Sequence, residues 1–538
     1  MRFLFKAAAF LLGICSALIL LFYLLLPYTV PILATYYAEK NGFVDFDLSV
    51  SWPQGKLWRI EHLHLAQNNF DAKIKDTAIT YSLADIRSIK LNSLSAKQVI
   101  VSIRGLPENK GQDSSASSNP FNVLQELPFE AAKIDHFEIH LAELVEGLSP
   151  VTLTGSITAK LGENWKLGGS IEASDFNYKR SNLEFTGIRS KGSFTLDPQK
   201  VELEFELETD QELLSASGKV QYLINNKTGV LKYKIKSNKL PNIVEKLSAI
   251  LRQYQIPLKL ASGEFLAEGS IPWGKKDTAW PIDISLKNIS GSYSEFPFLG
   301  LRSSKIALNL KNLRTRKAAT LYADSLDAGV MLSNLRASID TSSSRNGGHT
   351  VYKIDAFGFS VFSGDVLIED TNIDPLSTKH SAVAKLSGLN LSQLLSLYEA
   401  QGISGTGFID GTLPITLTKN KLQISGGKLK AQAPGGTISV SKEKFNSLAQ
   451  SNPHLALPLR VLENYQYSSL ESGVSYQADG SLLLSLSLKG KNPAVNKGQA
   501  VNININVEEN LLALLRSLRI ADNISKGLEK TGTNELSR

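Results

Sequence analysis

Alternation of apolar and polar residues recurs along most of this chain, and it limits the possible folds more than any other feature. The stretch VELEFELE, residues 201–208, places four apolar side chains against four glutamates. Four segments show the pattern most strictly, and their apolar residues are Val201, Leu203, Phe205 and Leu207; Leu231, Tyr233 and Ile235; Leu482, Leu484, Leu486 and Leu488; and Val501, Ile503, Ile505 and Val507. A helix would scatter such positions around its circumference, whereas a strand places them on one face. The pattern therefore predicts sheets with one wet face.

The number of such segments limits the architecture further. The 538 residues hold on the order of 25–35 strand-like runs, and turn signals such as NNKTG, PGG and ADG separate them. One β-sandwich of ~100 residues uses about seven to nine strands, so tandem sandwiches are one interpretation. Only one low-complexity linker stands out, LPENKGQDSSASSNPF at Leu106–Phe121. This favours one continuous sheet rolled into a trough, with an apolar inner face.

The first segment is a candidate membrane anchor. After Arg2 and Lys6 no charge occurs until Glu39. The 20 residues Ala7–Leu26 would span about 30 Å as a helix, the thickness of the hydrocarbon core. The run is too long for a signal peptide and lacks an Ala-x-Ala site, so we expect it to be retained. The positive-inside rule then places the N-terminus in the cytoplasm and exports the chain from about residue 30.

Four segments show helical spacing among the strands: Leu240–Ile256, Leu389–Ala400, Ser441–Ala449 and Glu508–Lys526. In the last one, Glu508 and Glu509 suit the positive end of a helix dipole. Such short amphipathic helices more often close the end of a sheet than bind a membrane, and we expect that here.

Composition and motifs give no sign of catalysis, a cofactor or nucleic-acid binding. Lys and Arg total 58 and Asp and Glu total 51, with no long basic block, and the single cysteine, Cys15, lies in the apolar segment. No HExxH, GxSxG or Walker motif occurs. His136, Glu138 and His140 alternate on one predicted strand, as do His62 and His64. We interpret them as solvated faces rather than metal ligands.

The C-terminal third resembles a known family. The segments that carry the likeness are LNLSQLLSLYEAQGISGTGFIDGTLPITL (389–417), LQISGGKLKAQAPGGTI (422–438), LENYQYSSLESGVSYQADGSLLLSLSLKGKNP (462–493) and GQAVNININVEENLLALLRSLR (498–519). Their order and spacing are similar to those of the AsmA-like inner-membrane proteins of Gram-negative bacteria, within them the YdbH type. The C-terminal domain of that type also carries the description "dicarboxylate transport". Residues 51–66 and 78–86 resemble the family's looser opening.

The resemblance implies a lipid conduit: one transmembrane helix, then an elongated antiparallel sheet forming a taco-shaped apolar groove with a few short helices. It implies no catalytic residues, and the strand stripes named above become the expected groove lining. We expect residues 1–6 to be cytoplasmic, 7–28 to be the anchor, 29–104 the first periplasmic β-segment, 105–125 a linker, 126–385 the central groove and 386–538 the YdbH-type domain with its closing helix.

The expected function is movement of phospholipid between the inner and outer membranes by a single-pass, inner-membrane-anchored periplasmic protein. An outer-membrane or periplasmic protein partner is also expected. The alternative is a periplasmic scaffold or chaperone for outer-membrane protein assembly or envelope integrity, which would use exposed sheet edges. A solute-transport accessory is a third hypothesis, but one anchor forms no pore and no convergent basic pocket stands out.

Overall fold

The structure, a computed structural model, describes residues 2–82, 91–104, 127, 129–142, 146–180, 183–253, 256–275, 278–312, 314–341, 345–346, 349–374, 376–397, 402–418, 421–441 and 460–518. Strands dominate these residues, together with one long helix and a few short ones, which confirms the mainly β prediction. The chain divides into two compact units. The first comprises Met1–Asn238, Glu245–Ile250 and Glu268–Trp280, and the second Lys239–Val244, Leu251–Ala267 and Pro281–Arg538.

The long helix α1 (Arg2–Lys40) contains the predicted anchor and continues beyond it. Pro27 and Pro31 lie inside the helix. The helix stops at a turn in which the side-chain amide of Asn41 donates to the carbonyl of Tyr37 at 2.7 Å and Gly42 has a φ of 81°. A glycine in this left-handed conformation is a common helix terminator. By length and composition, the stretch Leu20–Lys40 could also cross a membrane.

The strands of the first unit follow one another in space in nearly the order of the sequence. They are β1 (Asp45–Val50), β2 (Leu57–Gln67), β3 (Phe70–Thr80), β4 (Leu91–Ile103), β5 (Phe129–Leu141), β6 (Val151–Lys160), β7 (Lys166–Arg180), β8 (Leu183–Leu196), β9 (Lys200–Glu208), β10 (Ser215–Leu223) and β11 (Thr228–Ser237). Each pairs antiparallel with the next, except that β4 and β5 are parallel. A parallel pair needs a long crossover connection. The predicted linker 105–125 falls in that connection and lies outside the described residues.

Most of the other strands belong to the second unit, although β12 contributes residues to both. They are β12 (Leu258–Trp273), β13 (Pro281–Tyr293), β14 (Phe296–Ser303), β15 (Ile306–Asn309), β16 (Arg314–Thr315), β17 (Ala319–Asp327), β18 (Met331–Asp340), β19 (Arg345–Asn346), β20 (His349–Thr350), β21 (Tyr352–Val361), β22 (Gly364–Ile373), β23 (Lys379–Asn390), β24 (Ile403–Gly405), β25 (Phe408–Thr418), β26 (Lys421–Ala431), β27 (Gly436–Val440), β28 (Tyr465–Tyr476), β29 (Ser481–Lys491) and β30 (Ala500–Asn510). The C-terminal part is an antiparallel series in which β28 pairs with β29 and β29 with β30.

The short helices differ in detail from the prediction. Leu240–Ile256 forms two helices, α2 (Leu240–Lys246) and α3 (Ser248–Gln253), and Leu389–Ala400 contributes α4 (Leu391–Ser396). The side-chain oxygen of Asn390 caps α4 by accepting from the backbone amides of Ser392 and Gln393. Most of Ser441–Ala449 lies outside the described residues.

The closing helix begins later than predicted. Glu508 and Glu509 continue β30 because they pair with Leu483 and Leu482 of β29. The helix α5 (511–518) follows, and the side chain of Asn510 caps it by accepting from the amide of Ala513 at 2.9 Å. Pairing along the ladder therefore outweighs the preference of two glutamates for a helix start. The rest of the predicted helix, from residue 519, is outside the described residues.

Candidate functional site

A band of apolar side chains crosses five consecutive strands of the first unit, and we call it the first band. It consists of Phe194, Leu203, Val220 and Leu231 in one row, Leu196, Val201 and Tyr222 in the next, and Ile171, Phe205 and Tyr233 in a third. All but Leu196 keep part of their surface exposed. The strand stripes predicted at 201–207 and 231–235 thus lie side by side in register. Leu207 and Ile235 continue the pattern, each paired with Ala216.

The opposite face of the same strands is charged and wet. Glu204 accepts from the ammonium of Lys219 at 2.7 Å, and this hydrogen bond raises the pKa of the lysine. Glu206 and Lys191 form a second cross-strand pair at 3.1 Å, which likewise raises the pKa of Lys191. Such exposed pairs contribute little to stability. They show which face of the sheet meets bulk water, and therefore that the first band lies on the other face.

In the first band, aromatic rings lie over glycines of neighbouring strands. Phe205 lies between Gly192 and Gly218 on the neighbouring strands. A Cβ atom built on Gly218 would lie 2.5 Å from the ring carbon Cζ of Phe205, so the ring lies over the glycine. The ring of Trp273 covers Gly229 in the same way, and it stacks on Tyr222 with 6.5 Å between centroids. Aromatic rings placed over strand glycines cover the backbone that the glycines leave exposed. The alternation in the sequence does not reveal these pairs.

The second unit carries an equivalent band on β28, β29 and β30, which we call the second band. Its rows are Val474, Leu484 and Val507; Leu470, Leu488 and Ile503; and Leu486 with Ile505. Leu482 pairs with Tyr476, and Val501 lies opposite Gly490. The serines of β29 and the asparagines of β30 between these positions are exposed, whereas Ser472 of β28 is buried. The stripes predicted at 482–488 and 501–507 are therefore adjacent and face the same side.

One end of the second band is covered by the protein itself. Leu488 is only 1% exposed and belongs to a core with Tyr465, Leu391 of α4 and Val461. Leu486, Val501, Ile503 and Ile505 pack against this core from its edge. The lining role expected for Leu488 stays a prediction, and in this arrangement lipid contact would require the core to open.

Two buried tyrosines of this core form hydrogen bonds to backbone carbonyls of distant segments. The hydroxyl of Tyr465 donates to the carbonyl of Val501 at 2.5 Å, and that of Tyr467 donates to the carbonyl of Thr406 at 2.7 Å. Burial raises the pKa of both phenols. Each bond joins segments far apart in the chain, so no local sequence signal pointed to them.

The closing helix α5 lies against two hairpin turns of the second unit. A Cβ atom on Gly329, between β17 and β18, would lie 2.5 Å from the carbonyl oxygen of Leu515. A Cβ atom on Gly480, between β28 and β29, would lie 3.0 Å from the Cβ of Leu512. The helix therefore bridges turns that are about 150 residues apart in the chain, as expected of a closing element.

His62, His64 and His140 have polar neighbours on the same or an adjacent strand. His140 pairs with Glu138 at 3.2 Å and contacts the hydroxyl of Thr152 at 3.1 Å. His62 pairs with Asp47, and His64 lies between Asp45 and Asp71. In the part of the chain that the structure describes, no group of three or more His, Cys, Asp or Glu side chains could hold a metal ion.

Comparison with known proteins gives two matches. The family model "YdbH-like: Intermembrane phospholipid transport protein YdbH" matches residues 147–533, which include all of the first band and all of the second. The "Probable phospholipid transport protein YdbH" of Escherichia coli (strain K12) is 26% identical over 173 residues. That alignment covers 32% of this chain and 19% of the relative. No solved structure matches the chain.

Proposed function

Because the chain belongs to the YdbH-like family of intermembrane phospholipid transport proteins, we propose that it moves phospholipid between the inner and outer membranes along its apolar sheet faces. Helix α1 anchors it in the inner membrane with Arg2 and Lys6 on the cytoplasmic side. The strands lie in the periplasm, where a periplasmic or outer-membrane protein receives the lipid. In each unit the stripe residues other than the buried Leu488 provide the lipid-binding surface.

The observation that carries this proposal is the first band. Its first row is continuous over β8, β9, β10 and β11, with partly exposed apolar side chains, while the reverse face carries ion pairs. A closed sandwich would bury such a band completely. An acyl chain lying on it gains about 0.8 kcal/mol for each methylene removed from water. Because this gain is spread along the band, the chain can slide without a tight pocket.

Site-specific photocrosslinking in cells tests the proposal. We would place a photoreactive residue at Leu203 and Tyr233 on the first band, and at Glu204 and Lys232 on the reverse face as matched controls. We expect phospholipid to be captured from the first pair of positions and not from the second. Protein adducts without lipid at Leu203 and Tyr233 would overturn the proposal and favour a scaffold for outer-membrane protein assembly.

A further inference from the structure

Helix α1 is too long for one bilayer crossing. Its 39 residues extend over about 58 Å at 1.5 Å per residue, close to twice the hydrocarbon thickness of about 30 Å. The sequence permits more than one crossing segment, since no charge lies between Lys6 and Glu39. Both the predicted 7–28 and the stretch Leu20–Lys40 are sufficiently long and apolar. Contacts between α1 and the sheet indicate which of these two segments crosses the membrane.

The turn between β1 and β2 docks on the middle of the helix. The hydroxyl of Tyr23 donates to the carbonyl of Pro53 at 2.5 Å, and the indole N–H of Trp52 donates to the carbonyl of Leu24 at 3.3 Å. At the other end, the amide of Phe43 donates to the carbonyl of Ala38 at 3.1 Å. Strand β1 therefore runs back beside α1, from the end of the helix to the level of Leu24.

Charges on β1 show that this half of the helix lies outside the hydrocarbon. Asp45 and Asp47 have side chains that are 62% and 64% exposed. A charged side chain in the hydrocarbon core of a bilayer is strongly disfavoured. If Leu20–Lys40 crossed the membrane, β1 would lie at the same depth as the helix. The crossing part must therefore precede Leu24, and Ala7–Leu24 supplies about 27 Å.

The docked turn has the composition of a membrane interface. Trp52 is partly exposed, Tyr23 lies beside it, and Lys56 is exposed just after the turn. Tryptophan and tyrosine concentrate at the level of the lipid headgroups, and lysine extends its ammonium group towards the headgroups. The boundary of the bilayer thus lies near Leu24.

Beyond this boundary, α1 has two different faces. Leu26, Val30, Ala34 and Ala38, at a spacing of four, are partly or fully buried. The exposed residues of this half, which we call the exit face, are Tyr28, Ile32, Leu33, Tyr36 and Tyr37, each 59–68% exposed. Contiguous apolar surface of this kind in a watery compartment marks a binding site.

The exit face continues the surface that meets lipid in the membrane. Exposed apolar residues at helical spacing run from Leu21 through Leu25, Tyr28 and Ile32 to Tyr36 without a polar residue between them in the stripe. A lipid tail can therefore follow one apolar surface across the boundary.

We propose that the exit face binds the acyl chains of phospholipids between the inner membrane and the sheet. The tyrosine hydroxyls suit the polar headgroup end of the lipid, and the aliphatic side chains and rings suit its tails. This inference rests on the proposed function, because it places the membrane end of the lipid path on α1.

The boundary is tested first, by cysteine labelling in cells with a permeabilised outer membrane. In a Cys15→Ser background, single variants Leu21→Cys and Ile32→Cys are treated with a charged, membrane-impermeant maleimide. We expect Ile32→Cys to be labelled. Leu21→Cys should be labelled at least about tenfold more slowly, because hydrocarbon excludes the charged reagent. Equal protection of both positions would place the exit face inside the bilayer and overturn the inference.

The ligand is tested by photocrosslinking at Tyr28, Ile32 and Tyr36, with Ala34 on the packed side as the control. Phospholipid adducts at the three exposed positions and not at Ala34 are expected. A protein adduct in place of lipid would mean that a partner helix covers the face, which overturns the inference. Lipid capture at Leu203 without capture on the exit face would overturn only this inference, whereas the absence of lipid at Leu203 would count against the proposed function.

Discussion

The first and second bands show the same alternation but are covered differently. In the first band Leu203 remains partly exposed between Phe194 and Val220. In the second band Leu488 occupies the same kind of position between Leu470 and Ile503, yet it is 1% exposed. The difference comes from Leu391 of α4 and from Val461 and Leu462, which belong to the same buried core as Leu488. A period of two therefore identifies an apolar face, but not whether lipid or protein covers it.

The largest expected difference between the bands concerns stability. Leu488→Ala should lower the free energy of unfolding by about 2–5 kcal/mol, because it leaves a cavity in a closed core. Leu203→Ala should cost clearly less, since its side chain already meets solvent in part. Denaturant unfolding of the purified protein compares the two. Equal losses would mean that the first band is also a closed core.

When lipid capture is measured instead of stability, we expect a charge at Leu203 to have a direct effect that a charge at Leu488 does not have. Leu203→Asp places a carboxylate on the proposed lipid path, and we expect phospholipid capture at Tyr233 to fall strongly while the protein stays folded. Leu488→Asp should instead lower the amount of folded protein. Loss of protein and of lipid capture in parallel for Leu203→Asp would contradict the distinction.

A further prediction concerns the aromatic ring of Phe205 in the first band, which lies over Gly218. Gly218→Ala would bring a methyl group to 2.5 Å from the ring of Phe205, and overpacking of this kind costs about 1–3 kcal/mol. Gly473→Ala on β28 is the control, because its nearest neighbour would be 3.8 Å away. Thermal or denaturant unfolding provides the measurement.

A second substitution shows whether Gly218→Ala destabilises the protein by crowding the ring of Phe205 or by changing the backbone at residue 218. Combined with Phe205→Leu, Gly218→Ala should lose much of its penalty, because the smaller side chain no longer lies over the added methyl group. If the double variant is as unstable as the sum of the two single variants, the ring does not rest on Gly218 in solution.

The third prediction uses the tyrosines that close the second band. Tyr465→Phe removes the hydrogen bond to Val501 and should cost about 1 kcal/mol at neutral pH. Because burial raises the pKa of Tyr465 and Tyr467, the native state holds their protons when the unfolded state begins to ionise near pH 10. Stability from this source is therefore complete below about pH 10 and decreases as the pH rises above it.

The pH dependence of the free energy of unfolding tests whether the phenols of Tyr465 and Tyr467 are buried in solution. The double variant Tyr465→Phe, Tyr467→Phe should flatten the alkaline decline in the free energy of unfolding. Tyr293→Phe, at a site 52% exposed in the same unit, is the matched control for the loss of a phenol hydroxyl. An unaltered slope in the double variant would show that neither phenol is buried in solution.

Sequence reasoning located the elements well where a local pattern decides the structure. The mainly β architecture and the YdbH-type resemblance are both confirmed, and the stripes at 201–207 and 501–507 are strands with apolar residues on one face. It failed where distant segments meet. Glu508 was predicted to begin a helix, but pairing with Leu483 extends β30. The cover over Leu488 depends on Tyr465 and α4, which no window around residue 488 contains. The lipid contacts of the stripes stay predictions.

The smallest effect is expected on the charged face of the sheet, opposite the first band and one residue away from Leu203. Glu204→Gln removes the ion pair with Lys219, which lies in water and is screened by salt. The raised pKa of Lys219 means that any contribution of the pair is present at neutral pH and is lost as the pH rises through the pKa of the lysine. We expect the unfolding midpoint and lipid capture at Leu203 to stay within error of the unmodified protein. A marked loss of lipid capture would place lipid on the charged face as well, so that alternation along β9 would no longer separate a lipid side from a water side.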